Sequence, residues 1–282
     1  MSGIQFLSIL GRRLEYRRFE PAEATAGAPV IVMLHEGLGS LAMWKFFPGE
    51  LAAATSLPVV AYSRFGYGGS EAPLDPVGAL EMHRHEALEV LPGLLERLEI
   101  SRPVLFGHSD GASIALIYAG ALPKAISGLV ILAPHVFVED MCLASISRAR
   151  DAYLASDMRQ KLGRYHDDPD RAFWLWNNVW LDPDFKSWNI EYALPRIECP
   201  VLAIQGIDDE YGTMEQLDRI ARVIPRTEQL RLPQCRHSPH RDQPALVLDS
   251  TARWVCGHVR VQFANQPSAW DSWSPGTQRK EV

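Results

Sequence analysis

Hydrophobic positions along this chain fall into short runs rather than long stripes. IQFLSI and RLEYRRF alternate in part and flank Gly11, the pattern of an opening antiparallel hairpin. From residue 29 onward the runs PVIVML, LPVVAY, PVLF, GLVILA and PVLAIQ recur, rich in β-branched residues and mostly separated by segments of helical length. EQLRLP near residue 230 supplies a last strand. The spacing predicts helices over Ala79 to Leu98, Gly111 to Leu122, Met214 to Ile224 and Pro244 to Val255. Uninterrupted apolar strands alternating with helices define an α/β fold, a mostly parallel central sheet flanked by helices.

One interval breaks this alternation. Between GLVILAP and CPVLAIQG, residues 135–198 contain no clear core strand, and a structureless loop of that length is incompatible with a compact domain, so the interval is expected to be an inserted helical cap. Its aromatics are dense: Tyr153, Tyr165, Phe173, Trp174, Trp176, Trp180, Phe185, Trp188 and Tyr192. Most are expected to pack the cap onto the body, and one or two to line a pocket. The expected division is a core of 1–134 and 199–261, a cap of 135–198 and a polar C-terminal arm of 262–282.

Composition narrows the class. Of 282 residues, 47% are hydrophobic and 22% charged, the balance of an ordinary globular protein. The formal net charge of -6 and the lack of a basic stripe argue against nucleic acid and anionic membranes as partners. The four cysteines, Cys142, Cys199, Cys235 and Cys256, form no CxxC pair, which fits a reducing compartment. The N-terminal apolar stretch precedes its arginines, the reverse of a signal peptide, and nowhere do 18 apolar residues run together. A cytoplasmic location and a small-molecule substrate are expected; the oligomeric state stays open, a homodimer included.

The chemistry concentrates at Gly107-His108-Ser109-Asp110-Gly111, between the run PVLF and the helical run ASIALIYAGAL. A serine flanked by glycines at a strand-to-helix junction occupies a tight turn that lifts its hydroxyl clear of the backbone, the nucleophile elbow. Serine is a weak nucleophile at neutral pH and needs a base, and the base an orienting carboxylate. After PVLAIQG come Asp208, Asp209 and Glu210; Asp209 is the preferred acid and Asp208 the alternative. After EQLRLP, the segment QCRHSPHRDQP offers His237, nearer the strand end, and His240. His83 and His85 lie two apart on a predicted helix and so diverge, reading as ordinary helix residues; no motif for a metal or nucleotide cofactor appears.

HEGLG at 35–39, SRFGYGGS at 63–70, GHSDG at 107–111, QGIDD at 205–209 and CRHSPHRDQP at 235–244 together resemble the α/β-hydrolase superfamily, in its capped serine esterase and C–C hydrolase-like branch. The resemblance implies Ser109 as nucleophile, Asp209 as acid and His237 as general base. It also implies an oxyanion hole made by the backbone N–H of Asp110 and a second donor from the loop after PVIVML: Gly37, or alternatively Leu38.

Glu36 departs from the family's HGxG. A carboxylate there opposes an oxyanion unless it is turned away or paired, with Arg64 or a cap residue; the preferred reading is a structural anchor for the loop. Ala112 stands where many relatives have glycine, and Arg236, which replaces the usual glycine before the histidine, is either a surface residue or an anion binder. The Asp110 side chain is expected to tie the helix start.

A serine at position 109 argues against the haloalkane dehalogenase and epoxide hydrolase branches, which require Asp. Hydrolysis of a carboxylic ester is the first expectation and C–C hydrolysis of a diketone from aromatic breakdown the second. Thioesters, lactones, peracid formation and a cofactor-free oxygenase are less favoured alternatives. A ligand-binding relative without turnover is the reading from another class.

Overall fold

The computed structural model describes residues 3–23, 27–73 and 77–260. The hairpin is formed by β1 (Gln5–Ile9) and β2 (Arg12–Phe19). Leu10 and Gly11 both have positive φ, 49° and 73°, the paired left-handed geometry of a two-residue turn that follows the strand twist. The remaining strands are β3 (Ile31–Leu34), β4 (Val59–Tyr62), β5 (Val104–His108), β6 (Gly128–Leu132), β7 (Val201–Gly206) and β8 (Thr227–Leu232). They form one eight-stranded sheet in the order β1-β2-β4-β3-β5-β6-β7-β8, parallel from β4 to β8, with β1 and β2 joined antiparallel at one edge. Every residue of β3 through β7 is buried, because helices cover both faces.

The helices are α1 (Phe47–Thr55), α2 (Met82–His85), α3 (Leu91–Arg97), α4 (Asp110–Ala121), α5 (Asp140–Ala155), α6 (Met158–Leu162), α7 (Pro169–Trp180), α8 (Glu215–Val223), α9 (Pro239–Asp242) and α10 (Pro244–Val255). Leu51, Ala52, Val247 and Trp254 place α1 and α10 on one face; Leu94, Ile114, Leu116 and Leu217 place α3, α4 and α8 on the other.

The expected helix 79–98 is interrupted by a π turn, Glu86–Val90, at which Glu86 turns inward and accepts a 2.8 Å hydrogen bond from the Tyr62 hydroxyl. Between β6 and β7, α5, α6 and α7 and two 3-10 turns occupy the interval that lacks a strand. Phe173, Trp180, Phe185 and Trp188 are buried there against the body, while Tyr192 is exposed. The arm expected over 262–282 lies outside the described residues.

Candidate active site

Ser109 caps α4 with φ 53° and ψ −117°, a conformation that costs a non-glycine residue on the order of 1–3 kcal/mol. The turn closes because its neighbours lack side chains. A Cβ on Gly107 would lie 2.4 Å from the Gly111 carbonyl oxygen, and one on Gly111 would lie 2.1 Å from the Leu34 carbonyl oxygen. The Ser109 N–H donates to the Leu132 carbonyl at 2.9 Å, and its own carbonyl accepts from Ala112 at 2.8 Å. The hydroxyl is thereby held at the carboxyl ends of the parallel strands, where open α/β sheets bind ligands.

Gly206 performs the same service at the end of β7, since a Cβ there would lie 2.1 Å from the Cys235 carbonyl oxygen. That close approach joins the loops after β7 and β8, with the Asp208 N–H donating to the same carbonyl at 3.0 Å. Asp208 itself is exposed; Asp209 is buried and faces His237. His237 Nδ1 donates to Asp209 Oδ1 at 2.8 Å, which leaves Nε2 to accept from the Ser109 hydroxyl at 3.0 Å.

Asp209 also accepts from the Tyr211 N–H at 2.9 Å and from Gln205 Nε2 at 3.1 Å. Burial pushes its carboxyl pKa up, but the His237 charge and hydrogen bond and the Tyr211 N–H win, so the carboxyl titrates below its ordinary value. Burial disfavours the His237 imidazolium; the Asp209 charge and hydrogen bond outweigh it, and the pKa rises.

A cavity of about 240 Å³ opens over Ser109, walled by Trp176 and Trp180 of α7, Cys142 and Ile146 of α5, and Tyr211. His135, also on its wall, is 1% exposed, and its pKa is lowered to about 4 by burial and the neighbouring His237, so it is neutral at pH 7. A larger depression of about 650 Å³ lies at the opposite end of the strands, lined by Arg102, Lys124, Cys199 and Arg226. Among the described residues its cysteine and histidine are not hydrogen-bonded to each other, His258 being held by the Trp254 carbonyl and Glu228, and burial raises the Cys199 thiol to about 12, far from a thiolate at neutral pH.

The loop 35–39 is tied down by its carbonyls. That of Glu36 accepts from His35 Nδ1 at 2.7 Å and from Arg64 Nη2 at 2.9 Å, and that of Gly37 lies 3.4 Å from the same Arg64 nitrogen. His166, in the segment after α6, donates through Nε2 to the Leu38 carbonyl at 3.1 Å and accepts from the Gly68 N–H at 3.0 Å.

Several expectations are corrected. The Glu36 carboxylate pairs with Arg241 at 3.1 Å and faces His108, not Arg64, which takes only the backbone. Of the readings open for Arg236, the surface one holds: it is largely exposed and bridges Glu210 at 3.1 Å. His240 lies within α9, buried against Trp44 and Phe47, and has no contact with Ser109. The Asp110 side chain does not tie the helix start. It accepts from Trp180 Nε1 at 3.0 Å, meets His83 Nε2 at 3.2 Å and lies 3.6 Å from Arg64. His83 is therefore no ordinary helix residue: it is fully buried, next to Trp188, and faces the Asp110 carboxylate beneath the cavity wall. Helical spacing separated His83 from His85 correctly but carried no information about a partner on another helix.

A largely buried serine–histidine–aspartate chain lies at the carboxyl edge of a parallel sheet, the arrangement of an α/β-hydrolase fold. The model of the alpha/beta hydrolase family matches residues 31–250, and the chain belongs to that family. It is 30% identical over 129 residues to a proline iminopeptidase of Heyndrickxia coagulans, covering 46% of this chain and 42% of that protein. It is 23% identical over 274 residues to a proline iminopeptidase of Levilactobacillus brevis, covering 82% and 89%. The chain thus spans less than half the length of the first of these relatives. The crystal structure of proline iminopeptidase from Mycobacterium smegmatis superposes with a TM-score of 0.74 at 17% identity, over 92% of this chain and all of that one, a likeness of fold. Among the described residues no helix is long and apolar enough to cross a membrane, and no cluster of three metal-ligating side chains occurs.

Proposed function

We propose that this protein is a serine hydrolase cleaving a small carboxylic ester through an acyl-serine intermediate, with α5–α7 as a cap over the site. The reading rests on the continuous chain Asp209–His237–Ser109, at 2.8 and 3.0 Å, beneath a small aromatic-walled cavity. His237 takes the proton of the Ser109 hydroxyl as its oxygen attacks the ester carbonyl. The resulting imidazolium returns the proton to the leaving alcohol, and water then releases the acid by the same base. Asp209 holds the tautomer and balances the imidazolium.

The carbonyl oxygen becomes an anion in each tetrahedral intermediate and needs N–H donors. Asp110, next after the nucleophile, supplies one. A trans peptide sets its N–H opposite its C=O, so with the carbonyls of Glu36 and Gly37 turned to Arg64, the N–H groups of Gly37 and Leu38 face away from that cation. Either completes the hole.

The iminopeptidase relatives raise amide cleavage as the competing reaction. Both carboxylates at the cavity, Glu36 and Glu210, are already paired with arginines, which favours an uncharged acyl group over an ammonium. Hydrolysis of p-nitrophenyl esters from acetate to decanoate and of the phenylacetate, beside proline p-nitroanilide, tests this. Ester turnover lost in Ser109→Ala is expected; turnover of the anilide alone would replace the ester reading.

His237 must be neutral to act as base, and its pKa is raised, so kcat/KM should climb with pH through a midpoint above the ordinary histidine value of about 6.5. The linkage to stability runs the other way. The favourable contribution of the Asp209–His237 pair is fully present below the unfolded histidine pKa and is lost as pH rises through the folded one. Activity should thus increase over the window in which this contribution fades. A rate profile flat between about pH 5 and 8 would exclude His237 as base.

A further inference from the structure

Three loops meet at the site, 35–39, 107–111 and 233–238, and a connection that the proposed mechanism does not use joins them. His108 Nε2 lies 2.7 Å from the carbonyl oxygen of His237. A carbonyl can only accept, so Nε2 bears the hydrogen. The other ring nitrogen, Nδ1, faces Glu36 Oε2 at 3.4 Å.

In a neutral imidazole protonated on Nε2, Nδ1 is a lone pair, and a lone pair set against a carboxylate repels it. His108 is fully buried and the Glu36 side chain is 15% exposed, so solvent screens this contact poorly. Nδ1 is buried and makes no hydrogen bond as the side chains stand, so the 3.4 Å contact is attractive only where Nδ1 also carries a proton. Glu36 Oε1 is meanwhile held by Arg241 at 3.1 Å, and Gly39 has no Cβ because that atom would lie 2.5 Å from Glu36 Oε2. The carboxylate is seated by its own loop against His108.

We propose that Glu36 is a positioning residue: through a proton shared with His108 it fixes the carbonyl of His237, and with it the imidazole, in register with Ser109. This rests on Ser109 and His237 being the reacting pair. It also accounts for a carboxylate beside the oxyanion loop, since His108 and Arg241 neutralise it where it would otherwise oppose the developing anion.

The groups facing Glu36 are His108, Arg241 and His240, with His166 behind the loop. Those facing His108 are Glu36, His237 and His240, the two imidazoles at 5.2 and 4.8 Å between centroids. Burial holds His240 neutral, and Arg241 keeps its charge throughout.

The test compares wild type, Glu36→Ala and Glu36→Gln as full-length proteins, reading the rate of Ser109 labelling by a fluorophosphonate across pH, together with kcat and KM on p-nitrophenyl acetate. Labelling needs an activated serine but no particular substrate. Glu36→Ala should slow labelling and kcat roughly 10- to 100-fold with KM nearly unchanged, as expected for a base displaced by about an ångström. In Glu36→Gln the amide N–H donates to the Nδ1 lone pair of a neutral His108, so labelling and kcat should recover most of that loss.

Wild-type labelling in Glu36→Ala, or no recovery in Glu36→Gln, overturns the proposal. Should Glu36→Ala not fold, Glu36→Gln decides alone: labelling close to wild type sustains the proposal and a roughly 10-fold or larger loss with KM unchanged overturns it. Labelling that follows the expected pattern without turnover of any ester refutes the ester reading and sustains this one.

Discussion

Ser109→Ala should lower ester turnover by roughly 10⁴- to 10⁶-fold while leaving the melting temperature within about 2 °C of wild type. The asymmetry follows from what the elbow consists of. Alanine keeps the Cβ, and the backbone at φ 53° is held by Gly107, Gly111 and the bond to the Leu132 carbonyl, none of which involves the hydroxyl. Only the 3.0 Å hydrogen bond to His237 disappears, and with it the nucleophile. The N–H donors remain, so activity above the uncatalysed rate should persist through binding and oxyanion stabilisation. Labelling by a fluorophosphonate should vanish together with turnover. Turnover above about 1% of wild type would place the nucleophile elsewhere.

Asp110→Asn should have the opposite profile, a large loss of stability with the backbone donor of the elbow retained. Asp110 and Arg64 are both nearly inaccessible, and His83 and Trp180 complete the cluster. Burial raises the carboxyl pKa, yet His83 and Arg64 override it and hold the group well below the usual carboxylate range. Neutralising the carboxylate leaves Arg64 a buried cation short of its partner, a change that costs about 3–5 kcal/mol, or roughly 10 °C in melting temperature for a chain of this size. Asparagine still offers an acceptor to the Trp180 indole, so the cavity wall should keep its shape. Guanidinium denaturation followed by tryptophan fluorescence measures the loss; a change below about 1 kcal/mol would mean that the ions in this cluster do not support one another.

The architecture was largely legible in the sequence because buried parallel strands leave a simple trace, short apolar runs broken by helical segments. All eight strands and the helix from Pro244 follow from it. Helix α1 did not, since FPGELAAAT opens with Pro48 and Gly49, one a break and the other a poor helix former, and is stabilised by packing on α10 rather than by propensity. Within the site, glycines beside Ser109 and Gly206 mark the approaches of backbone to backbone, and counting from strand ends picks out Asp209 and His237.

The charged partners were beyond reach. Glu36 meets Arg241 across 205 positions, and Asp110 meets Trp180 across 70, separations at which no local pattern operates. One signal was available: an aspartate at the start of a helix with no polar face cannot be buried without a cation, and its position next to Ser109 required burial.

Gly37 couples α7 to the loop beneath it. A Cβ at that position would lie 2.1 Å from Trp176 Cδ1, so the indole of α7 rests directly on the backbone of the loop 35–39. Any residue larger than glycine at 37 must therefore displace either that indole or the loop, so the aromatic wall of the cavity and the backbone at its floor are shaped together, and Trp176 emission becomes a built-in optical gauge of their fit.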